Sequence, residues 1–260
     1  MMEHTTELEK EMNTGTSYLD CFRGTDLRRT EIVCMAWLAQ QVSGSTFMGQ
    51  STVFYEAAGL PKEGAFDLSI VQFCLGAIGT VLSWFAMTYF GRRTLYLFGS
   101  CTLTLIMLIV GAMAHKQDVT SYQWGIGTML LIFTFSYDLT IGPVCYSLVA
   151  ELSSTRLKAK TIVLSRNLYN VAGIVFGTIT NYQLTPTAWN WRAYSGFFWM
   201  GTSILMTVWI YFRLPEPKGR TYGELDILFE HKVSARKFAS TNVDVFRVSI
   251  PIFAFFRVTH

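Results

Sequence analysis

The chain has 260 residues, of which 51% are hydrophobic, 15% aromatic and 15% charged, with a net charge of +3. Soluble domains carry about 25% charged residues, so this composition excludes an ordinary soluble domain, a disordered chain and a disulfide-rich secreted scaffold. The small positive charge gives no support to a nucleic-acid partner.

Residues 1–30 are polar and charged, and lack the basic start, apolar centre and small-residue cleavage site of a leader peptide. Six apolar runs follow, over 31–58, 67–90, 94–114, 123–150, 159–183 and 193–214. A helix that crosses a bilayer needs about 20 predominantly apolar residues, and each run is long enough. Inside lipid every backbone amide must be paired within its own segment, so the runs predict helices. The expected fold class is all-α, a polytopic membrane protein with a six-transmembrane-helix bundle over 31–214.

In the first run, QQVSGSTFMGQSTVFYE at 40–56 is the least apolar stretch. It places Gln40, Gln41, Ser43, Ser45, Thr46 and Gln50 at membrane depth, where polar side chains face a bundle interior or a water-filled cavity. Gly44 and Gly49 would let this helix break, as substrate-binding helices of transporters do. The second run contains GAIGTVLSW at 76–84 and the fifth GIVFGTITN at 173–181. Such small residues allow close helix approach in a bilayer.

The fourth run carries Asp138 and, at its end, Glu151. Thirteen residues of continuous helix would separate them by roughly 20 Å, so they form no shared pair along one helix. Asp138 reads either as a functional acid or as a structural one bonded to a neighbouring helix. Gly142-Pro143 predicts a kink just after it. Glu151 reads either as a solvated helix end or as part of an ion-pair cluster with Arg92, Arg93 and Arg156.

Four of the five cysteines (Cys21, Cys34, Cys74, Cys101, Cys145) lie inside apolar runs and read as buried thiols. With six spans both ends of the chain share one side. That side collects every Lys and Arg except Lys62, Lys116 and Arg192, so both termini are expected in the cytosol. No metal-ligand spacing, nucleophile elbow or phosphate loop is present, and all four histidines fall outside the apolar runs. Neither an enzyme nor a cofactor or metal is expected.

Several local patterns coincide in order: QQVSG at 40–44, GRRTLYLFG at 91–99, GPVCYSLVAELSSTRLKAKT at 142–161, RNLYN at 166–170 and PEPKGR at 215–220. Over roughly residues 5–239 the chain resembles the second half of a sugar transporter of the major facilitator superfamily. TAWNWRAYSGFFW at 187–199 and RTYGELDILFE at 220–230 are similar to the fungal α-glucoside, or maltose-type, permease branch. Residues 1–30 resemble the central cytosolic loop of that family and 215–239 its cytosolic C-terminal segment.

The resemblance implies sugar-contacting positions at Gln40, Gln41, Thr46, Asp138, Tyr146 and Asn170, and a cytosolic gate at Arg92, Arg93, Glu151 and Arg156. It further implies proton-coupled uptake of an α-glucoside across the plasma membrane. The chain would supply one half, inactive alone without an N-terminal half or a second copy. A non-transporting sugar sensor is the alternative. Three departures stand out. Thr88 and Tyr89 replace the Asp-Arg that normally precedes Gly-Arg-Arg, Pro217 replaces a Thr, and Gly76 stands where glucose facilitators have a sugar-binding Asn. Thr46, Gly76 and Tyr146 imply a substrate other than glucose. The tail at 240–260 is divergent, with IPIFAFF too short to span; it reads as disordered, as the product of a frameshift or retained intron, or as a short interfacial anchor.

Overall fold

A computed structural model describes residues 17–57, 59–116, 118–238 and 241. The expectations for residues 1–16 and, apart from Thr241, for the 240–260 tail fall outside these. Ten α-helices occur among the described residues: α1 (Gly24–Val42), α2 (Thr46–Gly49), α3 (Ser51–Ala57), α4 (Lys62–Tyr89), α5 (Arg92–Met113), α6 (Thr120–Leu139), α7 (Ile141–Leu152), α8 (Lys158–Leu184), α9 (Ser195–Arg213) and α10 (Tyr222–Glu230). Short 3-10 turns lie at Tyr18–Phe22, Ala114–Lys116, Arg192–Tyr194 and Ala235–Lys237. Among the described residues, five segments are long and apolar enough to cross a membrane: Lys62–Tyr89, Arg92–Lys116, Thr120–Leu152, Lys158–Leu184 and Arg192–Arg213.

The first run is not one continuous helix. It is divided into α1, α2 and α3, with breaks at residues 43–45 and at Gln50. Gly44 sits at φ +91°, in the left-handed region that a side chain resists. Carbonyls freed at the break are taken up locally. Val42 O accepts from Thr202 Oγ1 of α9 at 3.0 Å, and Ala39 O, still bonded to the Ser43 N–H, also accepts from Ser43 Oγ at 2.6 Å.

A third break falls at Thr140, between α6 and α7 (φ −121°, ψ −69°). Proline lacks an N–H, and its ring clashes with the carbonyl four residues earlier. Ending α6 at Leu139 and restarting at Ile141 puts Pro143 in a first helical turn, where the missing donor costs nothing.

Helix α4 shows why these segments belong in lipid. Its buried side is Ala65, Ser69, Gln72, Gly76, Gly79 and Ser83, while Phe66, Phe73, Ile78, Trp84 and Phe85 are each more than half exposed. In water that arrangement would expose apolar surface at about 25 cal/mol per Å²; in a bilayer it is the stable one. Small residues then let backbones approach closely. A Cβ on Gly196 of α9 would lie 2.9 Å from Met107 O of α5. The same logic corrects the reading of the thiols. Cys21 and Cys145 are buried, Cys34 is half-buried, and Cys74 and Cys101 are exposed. A lipid-facing surface is as apolar as a core, so an apolar run does not distinguish the two.

The principal helix pairs are α9 on α5, α4 on α6, α1 on α8, and α5 on α6, with α1 also packed on α7. Both described ends of the chain meet at one end of this bundle. Arg28 Nη1 donates to Val233 O at 2.8 Å, Arg29 pairs with Asp226, and Arg213 pairs with Glu31.

Candidate functional site

A cavity of about 480 Å³ opens beside the Thr140 break. Gln40 reaches it from α1, Thr80 and Trp84 from α4, Asp138 from α6, Tyr146 from α7 and Tyr169 from α8. Gln40 is anchored there because its Nε2 donates to Gly142 O at 3.2 Å, a carbonyl in the restarted first turn of α7. Asp138 lies two residues before the break and makes no hydrogen bond or ion pair among the described residues. Its carboxylate therefore has accepting capacity left for a ligand. Its position depends on α4: a Cβ on Gly76 would lie 2.6 Å from Asp138 Oδ2.

Tyr146 and Tyr169 give the same cavity aromatic lining. Tyr146 and Tyr169 both meet the buried Trp37 edge-on, with centroids 4.9 and 5.2 Å apart. The Arg166 guanidinium lies 4.6 Å from the centroids of both Trp37 and Tyr169. Such a cavity offers acceptors for hydroxyl donors and aromatic surface that can cover an apolar ring face.

Three of the six sequence-derived positions, Gln40, Asp138 and Tyr146, line this cavity. The other three lie elsewhere. Gln41, 100° further round α1, faces α8, where a Cβ on Gly173 would lie 3.2 Å from its Nε2. Thr46 Oγ1 shares a hydrogen bond of 2.9 Å with Thr180 Oγ1. Asn170 is exposed. Sequence reasoning missed Thr80, Trp84, Met87, Tyr137, Ser147 and Tyr169. A signal existed for α4: Gly76, Thr80, Trp84 and Met87 recur at intervals of three and four, one helix face.

A second group of charges lies at the end where the chain's described termini meet. Arg92 Nη2 pairs with Glu151 Oε1 at 3.1 Å, joining the start of α5 to the end of α7. Arg156 pairs with Asp26 at 3.2 Å rather than with Glu151. Arg93 Nη2 donates to Tyr211 O at 2.7 Å, at the end of α9.

Glu216, in the PEPKGR stretch, was not foreseen. Its carboxylate accepts from the backbone N–H groups of Arg92 (2.8 Å) and Arg93 (3.0 Å), the unpaired first donors of α5. Lys218 Nζ donates to the carbonyls of Thr88 (3.0 Å) and Tyr89 (2.8 Å), at the end of α4. One short segment thus holds a carboxylate on one helix start and an ammonium on the preceding helix end. Each charge opposes the local dipole. Thr88 and Tyr89 contribute through their carbonyls, which their departure from the usual Asp-Arg leaves intact.

The sugar (and other) transporter family matches residues 1–229. The alpha-glucosides permease MPH2 of Saccharomyces cerevisiae is 44% identical over 250 residues, covering 95% of this chain and 41% of that protein. The maltose permease MAL31 of the same species is 43% identical over 243 residues, covering 93% and 39%. The chain therefore spans about two fifths of the length of the curated relatives it matches. Among solved structures, the major facilitator superfamily proton:xylose symporter XylE superposes with a TM-score of 0.71 at 20% identity, covering 86% of this chain and 46% of that one. A multi-pass membrane bundle with the fold of the C-terminal half of the major facilitator superfamily follows, and the chain belongs to the sugar (and other) transporter family, whose members are transporters rather than enzymes.

Proposed function

We propose that this chain is the sugar-binding half of a proton-coupled α-glucoside importer of the plasma membrane. The observation that carries the reading is the cavity in which the free carboxylate of Asp138, the carboxamide of Gln40 and the ring of Tyr146 meet. The alpha-glucoside and maltose permeases similar to this chain support the substrate class. Gln41, Thr46 and Asn170 join the sugar when an N-terminal half, or a second copy, closes over α4 and α8. Arg92, Arg93, Glu151 and Arg156 form the gate, on the cytosolic side, where both termini lie. The excess of Lys and Arg at that end supports this orientation.

Uptake of labelled maltose tests the reading in permease-null cells. The chain alone gives no proton-dependent uptake; co-expression with the N-terminal half of MPH2 restores it, and Asp138→Asn in the restored pair abolishes it. Robust uptake by the chain alone would overturn the half-transporter reading. Restored uptake indifferent to Asp138→Asn would overturn the site.

A further inference from the structure

A second cavity, of about 360 Å³, lies between the start of α1, the end of α9 and the turn after α10. Three cations from three elements line it: Arg28, Arg213 and Lys232. Their existing partners do not neutralise them. Arg213 pairs with Glu31. Arg28 spends one N–H on the neutral Val233 carbonyl. The Lys232 ammonium makes no ion pair or hydrogen bond among the described residues; only its backbone N–H is engaged, donating to Phe229 O at 3.0 Å. One carboxylate against three cations leaves a local excess of positive charge.

That excess is felt by the residues themselves. Burial, and then the charge of Arg213, hold the Arg28 guanidinium below its ordinary pKa. An anion placed between the two guanidinium groups would reverse this repulsion. The rest of the lining suits a phosphoryl group. Thr25 and Ser234 bring hydroxyl donors, and Phe212 and Phe229 bring apolar surface. Phe212 is exposed at the last turn of a membrane-length helix, where an acyl chain would run. Basic recesses between membrane helices at the Lys- and Arg-rich side are suited to anionic headgroups.

We propose that the Arg28–Arg213–Lys232 cavity is a binding site for a terminal phosphate group, supplied either as the monoester headgroup of an anionic lipid or as free inorganic phosphate. It is separate from the Asp138 cavity and does not rest on the sugar reading.

Native mass spectrometry of the detergent-purified chain, with phosphatidic acid or phosphatidylcholine added, tests it. Phosphatidic acid is retained in preference. Lys232→Gln weakens that retention about fivefold, and the Arg28→Gln/Lys232→Gln pair about twenty-five-fold, at roughly 1 kcal/mol per cation. Lys62→Gln/Lys116→Gln, which removes equal charge elsewhere, leaves retention unchanged. If inorganic phosphate instead raises the melting temperature of the wild type but not of Lys232→Gln, with no preference between lipids, the source is free phosphate. The proposal is overturned if neither phosphatidic acid nor inorganic phosphate distinguishes the wild type from Lys232→Gln. Lys232 is exposed, so that variant folds even where the Arg28 change does not.

Discussion

The carboxylate of Asp138 occupies the space that a side chain on Gly76 would need: a Cβ there would lie 2.6 Å from Asp138 Oδ2. One turn along α4, a Cβ on Gly79 would instead meet the backbone, at 3.0 Å from Phe135 O. The two glycines should therefore respond differently. A carboxylate at the end of a side chain can rotate away, so Gly76→Ala is expected to cost under about 1 kcal/mol. A backbone carbonyl cannot, so Gly79→Ala is expected to cost about 1–3 kcal/mol, the range for forced overpacking. Thermal unfolding in detergent checks both. Ligand binding adds a second contrast, because Gly76→Ala displaces the carboxylate oxygen itself, whereas a Cβ on Gly79 meets Asp138 only at its Cβ, 3.3 Å away.

Asp138 and Gln40 should also separate. Asp138 has no protein partner to lose, so Asp138→Asn is expected to leave stability within about 0.5 kcal/mol. A charged hydrogen bond to a ligand is worth about 1.5–3 kcal/mol, so affinity for an α-glucoside should fall roughly tenfold to a hundredfold. Gln40→Leu removes the donor to Gly142 O at the Thr140 break, so it should lower both stability and affinity. Calorimetric titration and melting of the same samples would show whether the two variants part in this way.

Glu216 should behave as a cap supplied from a distance. It binds the Arg92 and Arg93 amides, and Gly91 packs so closely on its carboxylate that no Cβ fits. Glu216→Ala is expected to cost about 1–2 kcal/mol, like loss of a helix N-cap. Gly91→Ala should cost about as much, because the added Cβ takes the carboxylate's place and removes it from both amides. Hydrogen exchange is the sharper measurement: protection should fall first at the start of α5, with α9 unaffected.

The bundle was legible because lipid imposes length and apolarity on every span. The helix breaks were legible too, from Gly44, Gly49 and Pro143, since each residue acts on the backbone of its own chain segment. The cavity was legible in part. Gln40 and Asp138 stand out as polar groups in apolar runs, whereas Tyr169 and Trp84 look like any lipid-facing aromatic. What the chain order hides is pairing across the fold. Arg156 lies five residues from Glu151 yet bonds Asp26, 130 residues away, and GRR at 91–93 meets PEPKGR through Glu216. Charge type and spacing say that these residues need partners, but only packing decides which.

The Arg92–Glu151 pair offers the strictest test of the gate. Its side chains are 24% and 27% exposed, so the pair is neither fully solvated nor fully buried. Arg92 Nε is already buried without a partner, so losing Glu151 would strand a second part of the same guanidinium. Glu151→Gln is therefore expected to cost about 1–2 kcal/mol, more than an exposed pair and less than a buried one. Arg92→Gln should cost a similar amount. The double variant Arg92→Gln/Glu151→Gln should cost less than the sum, since neither charge is then left alone. If the pair also latches the bundle closed, both single variants should increase labelling of a cysteine placed at Ser147 in the cavity. Additive stabilities, or labelling that does not change, would reduce Arg92–Glu151 to a surface contact.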